Sequence, residues 1–88
     1  MKLKEDFVLR KVAGNWIVIP VGEATVNFNG MLALNETGAF IWQNMQEGHT
    51  LDRIADLLTA EYDVKREQAL LDIDQFIKKL TDAGCLEN

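Results

Sequence analysis

The stretch from Gly30 to Trp42, GMLALNETGAFIW, constrains the fold more than any other part of the chain. A short apolar run reads as a strand, and an amphipathic helix begins immediately after an asparagine. Asn35 is a preferred N-cap residue, because its side-chain oxygen can accept from an otherwise unpaired amide of the first helical turn. Glu36 falls in that turn, where the helix dipole favours negative charge. Leu34 and Ala39 flank the cap with the spacing of a hydrophobic staple. The reading is a strand joined to a helix with no loop between them.

The segments on either side extend this pattern. Residues 7–13, FVLRKVA, and 16–21, WIVIPV, are rich in β-branched and aromatic residues and read as two strands around a turn at Gly14-Asn15. Pro20 cannot donate to a ladder, so it marks a strand end or an edge. Val26 and Phe28 alternate with Asn27 and Asn29, an extended pattern. Residues 30–34 form the third strand. A first helix runs from about Glu36 to Met45 and stops at Gly48. Thr50 caps a second helix, TLDRIADLLTAEY. Asp63 is expected to cap a third from about Val64 to Ala83, closed by Gly84 in a left-handed cap. Ala69, Leu70, Ile73, Phe76, Ile77 and Leu80 share one broad sector of that third helix. Leu71 points roughly opposite. Three adjacent strands followed by three helices predict an α+β fold, a winged helix-turn-helix-like arrangement. A three-stranded antiparallel sheet comes first and a three-helix bundle follows.

With 88 residues, 48% of them hydrophobic, the chain suits one small domain over 1–88. One cysteine allows no intrachain disulfide, so packing must supply the stability, as in a reducing compartment. MKLKEDF carries charge where a signal peptide needs an apolar run, and no apolar stretch approaches the roughly 20 residues that span a bilayer. The expectation is a cytoplasmic protein with no membrane partner. A net charge of −5 repels phosphate backbones. Lys65, Arg66 and Gln68 open the third helix as a DNA-reading helix would. However, Glu61, Asp63 and Glu67 surround them, and Asp72 and Asp74 follow where a basic stripe should continue. Nucleic acid is not expected as a partner.

The catalytic inventory is thin. The chain has no serine, and its only histidine, His49, and only cysteine, Cys85, lie in remote segments. They lack the paired spacing of a zinc site, and the scattered glycines form no phosphate loop. Asp52 and Asp56, one turn apart, read as the solvated face of the second helix. The expectation is a surface histidine, a small buried thiol, no enzyme activity, no cofactor and no metal. Trp16 and Trp42 read as core.

The order and spacing of several pieces resemble the PqqD-like family. These are the tryptophan-led strand WIVIP, then GMLALNETGAFIW, the step Gly48-His49-Thr50 into a second helix ending EYDV, and a long third helix with an AGCLEN tail. The resemblance covers nearly the whole chain. It implies a winged helix-turn-helix module that binds the leader segment of a ribosomally made precursor peptide and presents it to a modifying enzyme, often a radical S-adenosylmethionine (SAM) protein. The leader would lie as an added strand against the third strand, Gly30, Met31, Leu32, Ala33 and Leu34. Its side chains would enter a groove beside the third helix, for which Leu70, Leu71, Asp74 and Lys78 are the expected contacts. Roughly four to six backbone bonds at about 0.5–1.5 kcal/mol each would contribute only several kcal/mol, so anchoring side chains must add to them. The link at residues 22–29 is longer than is usual in the quinone-pathway proteins, which favours a relative serving another peptide pathway. Two alternatives stand beside this reading. One is a DNA-binding winged helix. The other is a structural dimerisation module, because an edge strand that accepts a peptide can also accept its twin, giving a homodimer.

Overall fold

The computed structural model describes residues 2–27 and 31–87. Three strands form an antiparallel sheet in the order β2-β3-β4: β2 is Phe7–Val12, β3 is Asn15–Pro20 and β4 is Leu32–Leu34. A two-stranded antiparallel pair joins β1, Lys2–Leu3, to β5, Leu86–Glu87, near the chain ends. Between the strands lie α1 (Ala24–Asn27), α2 (Glu36–Gln46), α3 (Leu51–Tyr62) and α4 (Arg66–Ala83). This is the expected α+β, winged helix-turn-helix-like arrangement, with the sheet preceding the three long helices.

Local chemistry explains most element boundaries. The β2–β3 turn is Ala13-Gly14, one residue earlier than expected, and Asn15 opens β3. Both turn residues have positive φ, 51° and 81°, as a type I′ hairpin requires. Asn35 caps α2 from an extended conformation, its side-chain oxygen accepting from the Gly38 N–H at 2.7 Å. Thr50 caps α3 in the same way, accepting from the Arg53 N–H at 3.1 Å. Gly84 closes α4 at φ 77°, its N–H bonded to the last-turn carbonyls.

Three expectations are corrected. Asp63 does not cap α4; it ends α3 in the left-handed region at φ 51°. Asp tolerates that region better than most residues, and the chain reverses there. Helix α4 then starts at Arg66 behind Lys65, which makes no side-chain cap bond. The alternation at 26–29 does not give a strand over its described part, because Ala24–Asn27 is a helical turn. Its start is held by bonds from the Ala24 N–H to the Val21 carbonyl and from the Thr25 N–H and hydroxyl to the Gly22 carbonyl. Phe28, Asn29 and Gly30 lie outside the described residues. The third strand, expected over 30–34, is confined to Leu32–Leu34.

One hydrophobic cluster joins all the layers. Phe7, Val18 and Leu34 from the sheet meet Ile41 and Trp42 of α2, Ile54 and Leu58 of α3, and Ile73, Phe76 and Leu80 of α4. Trp42 is fully buried, while Trp16 is half-buried and has the Lys11 ammonium 5.1 Å from its ring centroid. Leu3 and Cys85 bring the terminal strands into the same core. The Lys4 N–H donates to the Cys85 carbonyl at 2.9 Å, which ties the two ends together.

Two predictions follow from these contacts. Replacing Asn35 with alanine removes the α2 cap and should cost about 1 kcal/mol. Thermal melting should read this as a fall of roughly 4–8 °C for a chain of this size. Burial pushes the Cys85 thiol above its ordinary value of 9.0, with Lys4 acting in the opposite direction. The folded chain therefore keeps this proton longer than the unfolded chain does. The thiol's contribution is complete below the ordinary value and is lost as pH rises through the folded value. Denaturant midpoints above pH 9 should fall more steeply for the native protein than for Cys85→Ala.

Candidate functional site

The ladder geometry determines which backbone groups of β4 face outward. Val12 and Asn15 flank a two-residue hairpin turn, so they form a hydrogen-bonded pair. By alternation, Ile17 and Ile19 bond towards β2, and Trp16 and Val18 bond towards β4. Pro20 falls in the second set, so its missing N–H costs no bond to β2. Trp16 lies opposite Leu34, Ile17 opposite Ala33, and Val18 opposite Leu32. Leu32 and Leu34 therefore bond to β3, and Ala33 turns its N–H and C=O away from the sheet. Strand β4 is an edge of the sheet, so these two groups face its open margin.

A groove runs beside that margin. It encloses about 280 Å³ between the β4–α2 junction and α4. Leu34, Asn35, Thr37, Gly38 and Ile41 form one wall, and Asp72, Gln75, Phe76 and Lys79 form the other. Gly38 permits the close approach of the two walls. A β-carbon there would lie 3.2 Å from the Phe76 ring and 3.2 Å from the Asn35 side-chain oxygen. The floor is apolar, with Ile41, Leu34 and Phe76 all buried. The rim carries opposite charges. The Asp72 carboxylate accepts from the Gln68 side-chain amide at 2.9 Å. The Lys79 ammonium donates to the Ala33 carbonyl at 2.9 Å.

The residues singled out in the sequence divide into two sets. Met31, Leu32, Ala33 and Leu34 lie on or beside the open edge, and Met31 is 66% exposed. Gly30 is outside the described residues. Leu70, Leu71, Asp74 and Lys78 are exposed but do not line the groove; Leu71 is 54% exposed. They lie on the exposed stripe of α4 next to the one that carries positions 72, 75, 76 and 79, which line the groove. Helical periodicity separates these stripes, but it does not say which flank of the core sector borders β4. Phe76 was legible only as core, Asp72 only as an acid where a DNA-reading helix would be basic, and nothing local singled out Gln75 or Lys79.

Other candidate chemistry stays dispersed. His49 is exposed beside Glu47, 3.3 Å away, while Cys85 is buried. Among the described residues, no group of three or more His, Cys, Asp or Glu side chains is placed to hold a metal. No helix among them is long and apolar enough to cross a membrane. At the start of α4, Arg66 is paired with both Asp52 and Asp56 of α3. The helix that would read DNA thus begins with its guanidinium engaged by carboxylates.

The fold and edge define a winged-helix-like α+β domain with an open strand beside a helix-walled groove. Residues 16–86 match the family described as coenzyme PQQ synthesis protein D (PqqD). The chain belongs to this PqqD family. Two solved structures share its fold. TbiB1 in complex with the TbiA(beta) leader peptide has a TM-score of 0.82 and 24% identity, over 100% of this chain and 96% of that one. Lasso peptide synthetase B1 complexed with the leader peptide has a TM-score of 0.81 and 25% identity, over 99% of this chain and 96% of that one. No curated protein matches the chain.

Phe76 forms both core and groove floor, so its truncation should be costly. Phe76→Ala is expected to destabilise by about 3–5 kcal/mol. Urea unfolding would measure this as a large fall in midpoint at an unchanged slope.

Proposed function

We propose that this domain is a non-catalytic adaptor that binds the leader segment of a ribosomally made precursor peptide. The leader adds a strand to β4, its side chains enter the groove along α4, and the complex presents the rest of the peptide to a modifying enzyme. The observation that carries this reading is the outward N–H and C=O of Ala33 beside an apolar-floored groove. Membership of the PqqD family supports it. So does the shared fold with TbiB1 and lasso peptide synthetase B1, both solved with leader peptides bound. A radical SAM protein is the proposed modifying enzyme. The cytoplasm, where such precursors are made, is the proposed compartment, and a lone buried thiol suits it.

The energetics favour a side-chain-reading site. Ala33 offers one outward N–H and C=O, and a partner strand that prolongs β4 by a residue adds those of Met31. Roughly four backbone bonds at about 0.5–1.5 kcal/mol each fall short of most of the association cost of about 4–15 kcal/mol. A buried apolar anchor contributes about 1.5–3 kcal/mol. One or two such anchors over Phe76, Ile41 and Leu34 therefore decide which peptides bind. The acidic net charge and the paired Arg66 weigh against DNA as the ligand.

An isotope-labelled NMR titration tests this proposal, using the synthetic leader of the precursor encoded nearest the gene. Saturable shifts are expected at Met31–Leu34 and at Asp72, Gln75, Phe76 and Lys79. Gln75→Trp, which fills the groove from an exposed position, should weaken binding at least tenfold and leave the melting temperature within a few degrees. Leu71→Ala should leave affinity unchanged, and a loss of affinity would instead place the leader over Leu70, Leu71, Asp74 and Lys78 on the exposed stripe of α4. Shifts confined to β2, or a dimer already paired through β4, would overturn the assignment.

A further inference from the structure

Lys79 makes a contact that strand addition cannot leave undisturbed. Its ammonium reaches from α4 to the Ala33 carbonyl, the outward acceptor of an edge strand of only three residues. An incoming strand directs one of its own N–H groups to that same oxygen. Lysine on a strand edge is also a known guard against pairing with a second copy. In the free protein, Lys79 occupies the acceptor that makes the edge adhesive.

Displacement leaves a cation without its partner. Lys79 is the cation among the groove-lining residues, and the acid on the same wall, Asp72, two turns earlier in α4, already holds Gln68. A strand laid over the groove takes water from the ammonium, and a cation losing water needs an anion. Within the groove, the incoming peptide can supply that anion. Resting on the strand-addition reading, we propose that Lys79 guards the Ala33 carbonyl in the free protein and passes to a carboxylate of the bound peptide. An Asp or Glu side chain facing α4 beside the Ala33 pairing position is thereby a specificity determinant. The acidic protein otherwise repels such a residue, so selection for it is confined to this point and fixes the register of the strand.

The test uses the full chain, Lys79→Met and Lys79→Arg, with folding checked by circular dichroism. The probes are the same synthetic leader and its variants with each Asp or Glu changed singly to the amide. In the free protein, Lys79→Met should move the Ala33 carbonyl-carbon resonance; an unmoved resonance overturns the guard. With native protein, one amide change should weaken binding about tenfold. That penalty should vanish on Lys79→Met and persist on Lys79→Arg. Equal penalties on native protein and Lys79→Met, or tight native binding by a leader with every acid amidated, overturn the specificity role. A leader that binds neither native protein nor Lys79→Met refutes strand addition itself, a result distinct from both.

Discussion

The bond from the Gly38 N–H to the Asn35 side chain is the constraint on which the site depends. Asn35 sits at φ −81° and ψ 180°, still extended, while the next residue is already helical. The direction of α2 is thus set directly by the end of β4, with no loop to absorb error. Leu34 points into the core on one side of this joint, and Gly38 admits the Phe76 ring on the other. Loss of the cap would free the angle between strand and helix, and the groove wall from Leu34 to Ile41 would lose its shape.

The groove is where two kinds of packing fail to close on each other. The sheet buries the face carrying Phe7, Val18 and Leu34, and α4 buries the stripe carrying Ala69, Ile73, Phe76 and Leu80. A three-residue β4 is too short to reach α4 along its length. The gap left between them is floored by core residues and rimmed by the polar flank of the helix. An open strand edge is usually a liability in water. Here the liability and the recess lie side by side, which makes the combination selective.

Much of this could be read from local sequence, for definite physical reasons. Asn35, Thr50 and Gly84 are capping residues whose roles depend only on their neighbours, and the structure finds each in place. The apolar stripes of α3 and α4 follow from the helical period. Errors arose where two local signals competed. Asp63 carries both cap chemistry and tolerance of positive φ, and the chain reversal used the second. Val26 sits in an alternating pattern, but Gly22 and Thr25 supply turn bonds that alternation does not register. The β1–β5 pair was invisible for another reason: two-residue strands at opposite ends of a chain have no local period to detect. The groove stripe was missed because Asp72, Gln75 and Lys79 differ from Asp74 and Lys78 only in which flank of the helix they occupy. That is a property of docking against β4, not of α4 alone.

The β1–β5 clasp places Lys2 beside Glu87 and Leu3 beside Leu86. Both described ends of the chain therefore leave the domain at one point. A unit whose two ends share one exit can be spliced into a surface loop of a larger protein without being stretched or unwound. The same clasp makes the ends interdependent. Shortening either end removes the pairing partner of the other and uncovers the buried thiol behind it.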